Sequence, residues 1–177
     1  MANSDAPTGF RPLIQGKKTP RITKCYHTSG DSVAIFTGDP VVKTGTASDD
    51  LDSTMIVAAA GATGVMTGVA VNYIAADTAG YVYIYDDPQQ IFVIQDDESK
   101  TSAVTMIGSN ASLTATAGHT TSGQSRYEIN TTTEETTATL TVKIIGIDKR
   151  MDNVMGSHCD WLVQPNTATE ADNTAGI

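Results

Sequence analysis

Four consecutive residues, Ser157-His158-Cys159-Asp160, contain every side-chain type that a nucleophile–base–orienter line uses. Their spacing works against that chemistry. Successive residues of a strand point to opposite faces, so the four cannot converge on one reacting atom. Cys25-Tyr26-His27 is better spaced for a metal, because residues two apart on a strand share a face. With His158 and Cys159 these residues would supply four zinc ligands. His158 and Cys159 are adjacent, however, and need a bulge to face one way, and neither half has a zinc-knuckle spacing. The plainer reading is a small buried cysteine beside a surface histidine.

Carboxylates cluster at Asp49-Asp50-Leu51-Asp52, Asp86-Asp87 and Asp96-Asp97-Glu98. Such groups can hold calcium or act as catalytic pairs. None has the alternating ligands, central glycine and closing glutamate of an EF-hand loop. Beside prolines and element ends they read as solvated turns. There is no phosphate loop and no dinucleotide fingerprint. No catalytic, metal or cofactor site is expected. Tyr81, Tyr83 and Tyr85 occupy one face of an alternating strand, with Val82 and Ile84 on the other. That face suits stacking on sugars or bases, and suits a subunit interface better. Trp161, the single tryptophan, reads as a core or interface anchor.

The elements that carry these side chains read as strands. Only 6% of the 177 residues are aromatic and 18% are charged, and threonine, alanine, glycine and valine fill the gap. That composition favours β structure in one domain with a real core. Strands are expected over 21–28, 33–36, 41–44, 54–60, 65–74, 81–85, 90–95, 126–130, 138–147 and 159–164. Residues 61–64 read as the turn of a hairpin between the fourth and fifth. A short helix capped by Ser99 is expected over 99–107, with Leu113 packing alone beneath a loop. The threonine-rich stretch to 137 reads as loop, and 152–156 as a turn region. The fold class expected is all-β, a sandwich or jelly-roll-like barrel of short antiparallel strands.

Three segments follow: an extended N-terminal arm over 1–20, a β domain over 21–165 and a polar tail over 166–177. Prolines and glycines deny the arm a helix. Its apolar residues Phe10, Pro12, Leu13 and Ile14 are expected to anchor on something else, a neighbouring subunit above all. Residues 1–24 carry five basic side chains against Asp5, a charge of +4, and the rest carries −13, which sum to the net −9. A basic arm on an acidic body favours docking to a neighbour. The acidic balance argues against nucleic acid as a direct partner. No apolar run is long enough for a membrane span or a signal peptide, so cytosolic synthesis is expected. The two cysteines make no disulfide framework.

Five blocks lie in one order along the chain. Ala2-Asn-Ser-Asp-Ala-Pro-Thr-Gly-Phe10-Arg-Pro-Leu13 comes first, then Ser32-Val-Ala-Ile-Phe-Thr-Gly-Asp-Pro-Val-Val42. Asp86-Asp-Pro-Gln-Gln-Ile-Phe-Val-Ile-Gln95, Ala138-Thr-Leu-Thr-Val-Lys-Ile-Ile-Gly146 and Asp152-Asn-Val…Asp160-Trp-Leu-Val163 follow. The ordered set resembles the tailed-phage capsid decoration proteins, which cement and stabilise heads. The resemblance implies a non-enzymatic virion structural protein, made in the host cytoplasm. It would sit as a homotrimer on the outer surface of a shell built by a separate major capsid protein. It implies that Phe10, Arg11, Pro12 and Leu13 are the arm's anchors. Another virion part, such as a tail or fibre protein, and a carbohydrate-binding β domain are the alternatives.

Overall fold

The computed structural model describes residues 3–14, 19–48 and 54–169. The protein is all-β, with eleven strands in two sheets and a single short 3-10 turn among the described residues. β1 (Arg11–Pro12) opens the chain, and β2 (Ile22–His27), β3 (Pro40–Ala47), β4 (Met55–Ala59), β5 (Gly68–Ala70) and β6 (Gly80–Tyr85) follow. These last five close into a barrel in the order β2-β4-β3-β5-β6. β7 (Phe92–Gln95), β8 (Asn110–Thr114), β9 (Glu128–Glu135), β10 (Val142–Ile147) and β11 (Asp160–Pro165) complete a second sheet in the order β1-β7-β11-β10-β8-β9. β1 pairs with β7, Arg11 opposite Val93, so the barrel is an insertion between two neighbouring strands of the larger sheet.

Alternation builds the barrel. Val82 and Ile84 of β6 and Cys25 of β2 are buried with Val41, Val57 and Ile35 in its interior, while Tyr81, Tyr83 and Tyr85 face outward. The second core lies under the six-stranded sheet, around Trp161, Phe92, Ile94, Ile129, Val142 and Ile144. Met66 and Val69 reach into it from the barrel's side of the chain, and Tyr85 packs against it, its ring centroid 6.4 Å from that of Phe92. Burial of these apolar side chains stabilises the fold by about 1.5–3 kcal/mol apiece.

Several expectations are corrected by the pairing. Residues 33–36 make no strand, only the bridge Ile35–Ile74, because the chain turns there to lead into the Gly38-Asp39-Pro40 corner. The hairpin around 61–64 does not form: β3 lies between β4 and β5 and pairs with both. Val104–Met106 is a 3-10 turn without a side-chain cap, and Ser99 instead bonds Asp97 and Thr131. Leu113 belongs to β8, a strand hidden by its polar neighbours. β9 runs on through the threonine-rich stretch, where the Thr131 hydroxyl bonds across to Asp97 and Lys100.

The arm is the largest correction. Residues 3–14 lie against the protein's own body. Phe10 is 2% exposed and meets Phe92 edge to face at 5.7 Å. Gly9 makes this approach possible. Its φ is +64°, and a Cβ there would stand 2.3 Å from Ser125 Oγ and 2.6 Å from the Gly38 carbonyl. Of the expected tail, 166–169 is docked and 170–177 lies outside the described residues. Asn166 Nδ2 donates to the carbonyls of Ala138 and Leu140, and Ala168 bridges to Met66. The acidic cluster Asp49–Asp52 and the arm's Lys17 and Lys18 lie outside the described residues.

Candidate functional site

The densest polar constellation sits where the N-terminal segment crosses the β10–β11 connection. Asp160, first residue of β11, has its N–H bound to Asn153 Oδ1 at 2.9 Å. Its Oδ2 accepts from Arg11 Nη2 at 3.0 Å and also from Arg150 Nη2. Asn153 Nδ2 donates to the carbonyls of Asp148 and Asp160, at 2.7 and 2.8 Å. Asn3 closes the connection from the other side, accepting from Val154 N–H and donating to the carbonyls of Val154 and Ser157. Gln95 of β7 accepts from Ala6 N–H and donates to the carbonyls of Ser4 and His158. These groups enclose a cleft of about 280 Å³.

His158 on its rim has φ +53°, a left-handed conformation uncommon outside glycine, and its Nε2 lies 2.9 Å from Glu98 Oε2. Strained backbone in a polar cleft is a mark of functional sites. The chemistry here is nevertheless that of a fastener. Asp160 is occupied by two guanidiniums, and each amide is matched to a backbone group. The side chains lining the cleft balance in charge, Arg11 and Arg150 against Asp152 and Asp160.

Asp96 is a second hub, wholly buried. It accepts from Ser102 Oγ at 2.5 Å, Trp161 Nε1 at 3.0 Å and Cys159 N–H at 3.1 Å. Burial raises its carboxyl above the ordinary range despite these donors. Asp97 beside it is also desolvated. There the hydroxyls of Ser99 and Thr114 and the amides of Ser99 and Thr131 win, and its carboxyl is lowered. The carboxylates read as solvated turns thus tie loops to strands. Glu128 at the start of β9 is pushed up to about 7, first by burial and then by the charges of Asp5 and Asp97, with His158 and Arg126 opposing.

The sequence candidates scatter. Cys25 and His27 are buried in the barrel, where the His27 ring nitrogens lie 2.8 Å from the Thr78 carbonyl and 3.2 Å from that of Val33. Cys159 lies in the other core, its thiol pushed up to about 12 by burial and the charges of Asp96 and Asp160. A thiol so protonated is a poor nucleophile. Among the described residues no three His, Cys, Asp or Glu side chains are placed to hold one metal ion. Asp86 pairs with Arg21 at 2.7 Å.

Of the interface candidates, Phe10 and Trp161 are spent inside the molecule, Trp161 at 0% exposure, so neither can anchor to a neighbour. The cause is the same for both: each fills the core beneath the six-stranded sheet. Arg11 and Pro12 form β1, and Leu13 is tied through its N–H to the Ile91 carbonyl. The tyrosine face divides. Tyr85 turns into the joint between the two sheets, and Tyr81 meets Tyr26 and carries Lys24 Nζ 3.9 Å above its ring. Tyr83 stays open at 43% exposure, beside the exposed Ile22 and Lys24 of β2.

Two surfaces went unread in the sequence. One is the apolar loop carrying Met151, Val154 and Met155. The other is an apolar cleft between residues 32–36 and 115–118. The loop's signal was available: three large apolar side chains within five residues of a turn. The cleft joins distant segments and left no local trace. No protein-family model, no curated protein and no solved structure matches the chain.

Proposed function

We propose that this chain is a non-enzymatic virion structural protein that binds the outer surface of a phage capsid and cements neighbouring capsomers, self-associating as a trimer. One observation supports the reading above the others. The five sequence blocks that carry the resemblance meet in space, the fourth through the pairing of Ile144 with Val163 of the last. Phe10 of the first packs on Phe92 of the third and bonds through its N–H to Gly38 of the second. Arg11 of the first holds Asp160 of the last, and Gln95 of the third spans Ser4 and His158. Blocks that build one seam belong to one structural unit of this fold.

The contacts assigned to a free arm must be reassigned, since residues 3–14 are fastened in place. The outer barrel face with Ile22, Lys24 and Tyr83 is the surface assigned to the shell, because tyrosine-rich, half-exposed faces suit protein interfaces. Shells bound only in their mature form would be stabilised by mass action. The test is co-sedimentation of the full chain with undecorated shells of the virus that encodes it. Saturable binding, weakened about tenfold or more by Tyr83→Ala as for a hot-spot aromatic, is the expected result. A chain that stays in the supernatant at every concentration overturns the reading. Binding to glycans instead, lost on Tyr83→Ala, would move the function to carbohydrate recognition.

A further inference from the structure

His27 is the last residue of β2, and its ring is 0% exposed. The fold surrounds that ring with acceptors. Nδ1 lies 2.8 Å from the Thr78 carbonyl. Nε2 lies 3.2 Å from the Val33 carbonyl and 3.5 Å from Asp31 Oδ2. A neutral imidazole has one N–H and one lone pair. With the hydrogen on Nδ1, the Nε2 lone pair faces the Val33 carbonyl and the Asp31 carboxylate. With the hydrogen on Nε2, the Nδ1 lone pair faces the Thr78 carbonyl at the shorter distance. Either tautomer leaves an oxygen without its donor where solvent does not reach, and such a group is costly. The imidazolium carries two N–H groups and satisfies both sides. Its charge is then buried with a counter-ion and hydrogen bonds, the condition under which burial of a charge is tolerated.

The ring ties two loops to one point. Residues 28–35 follow β2, and the turn over 75–79 precedes β6. Asp31 Oδ1 accepts from Val33 N–H at 3.0 Å, and Asp31 N–H returns to the Thr28 carbonyl at 3.2 Å. The Asp31 carbonyl accepts from Asp77 N–H at 2.8 Å, and Asp77 stands at φ +53°. Ile35 and Ile74 exchange backbone bonds behind them. Among the described residues Asp31 is the one carboxylate within ion-pair distance of the ring, and Asp77 is the other carboxylate of the two loops. β4 has no ionisable side chain, and β6 brings only Tyr81, Tyr83 and Tyr85. β2 itself carries Lys24, held over the Tyr81 ring, besides Cys25 and Tyr26.

We propose that the second proton on His27 is a latch: it holds residues 28–35 and the 75–79 turn together against the barrel, and its loss as pH rises lets both open. The protonated ring belongs to the closed form, so the stability it contributes is full at low pH and is lost as pH rises. Opening would also take down one wall of the apolar cleft, which Ser32, Val33 and Ala34 line. The latch is independent of shell binding, and neither outcome of its test bears on that reading.

Nuclear magnetic resonance of the full chain, with its nitrogens isotopically labelled, reads ring and loops in one pH titration. Both ring nitrogens of His27 are expected to carry hydrogen at the acid end of the folded range. As pH rises one N–H should be lost. Protection of the Asp31, Ile35 and Asp77 amides, corrected for intrinsic exchange, should fall with it by about tenfold or more. Leu162 in the central strand β11 reports any change common to the whole fold, and the loss at the loops should exceed it. Asp31→Asn keeps an acceptor for Val33 N–H and removes the counter-charge, so it should open at lower pH than the parent. The Asp31 side chain is 20% exposed, and the variant's circular dichroism should match the parent's at the acid end. A ring with a single N–H throughout, loops that lose no more protection than Leu162, or an Asp31→Asn chain that opens at the parent's pH would each overturn the proposal.

Discussion

Asp160 places two guanidiniums on one carboxylate oxygen, so a single atom exchange tests the seam. Asp160→Asn keeps the shape and removes the charge. The loss should be about 1–3 kcal/mol, toward the lower end because both guanidiniums reach solvent. A urea midpoint that falls with unchanged slope would show it. Glu128 gives the residue scale its pH dependence. Its carboxyl is pushed up to about 7 in the folded protein, against an ordinary value of 4.5. A raised folded value means that the folded state holds the proton more tightly. The stability this contributes is therefore full below about 4.5 and is lost as pH rises through about 7. Tm should drop across that window in the parent, and Glu128→Gln should flatten the drop. A profile that Glu128→Gln leaves unchanged would assign the slope to another group, such as the buried Asp39 or Asp96, whose carboxyls burial also raises.

At the scale of elements, β1 is short yet covers an edge. Its two residues pair with β7 along Val93 and Phe92, and Pro12 offers no N–H to a further strand. Phe10→Ala should cost about 3–5 kcal/mol, since it empties a site against Phe92 in the core. Removing residues 1–14 should do more, baring the apolar β7 edge. Faster amide exchange at Val93 and aggregation at moderate temperature are the outcomes expected, and a truncated chain as stable and soluble as the parent would contradict the placement. Which elements the sequence reveals depends on burial. β6, β7, β10 and β11 alternate or run apolar, and their positions were legible within a few residues. β8 and the later part of β9 were not, because their polar side chains bond to backbone and loop groups: Asn110 Nδ2 donates to the Thr137 carbonyl, the Thr131 hydroxyl to Asp97, and the Thr133 hydroxyl to the Asn130 carbonyl while it accepts from Ser112 N–H. The arm misled for a related reason. Its prolines and glycines signalled extended chain correctly, but nothing local states that Gly9 fits against Gly38, nearly thirty residues later. The seam was legible only as residue types: His158 and Asp160 were noticed as possible chemistry, and their partners Asn3, Gln95 and Asn153 gave no signal of their own.

At the scale of the molecule, the question is whether barrel and sheet unfold as one. The barrel is inserted between β1 and β7, which pair with each other, so opening the larger sheet frees both ends of the insertion. Met66 and Val69 belong to the core under the six-stranded sheet, and Tyr85 packs on it, so the barrel's wall is also that core's wall. Shared side chains couple the two bodies, and a single cooperative transition is expected. The chain carries its own reporters. Trp161, the single tryptophan, is buried under the six-stranded sheet, whereas five of the six tyrosines, Tyr26, Tyr73, Tyr81, Tyr83 and Tyr85, fall within the barrel segment. Tryptophan fluorescence then follows the sheet, and the tyrosine near-ultraviolet signal mostly follows the barrel. Coincident urea transitions for the two would establish one unit. A tyrosine transition displaced from the tryptophan one would mean that the joint at Tyr85 and Phe92 is too weak to couple them. Tyr85→Ala supplies the control. It removes the ring that packs on Phe92 while sparing the barrel interior, where Val82 and Ile84 remain, so it should separate the two transitions if any single substitution does.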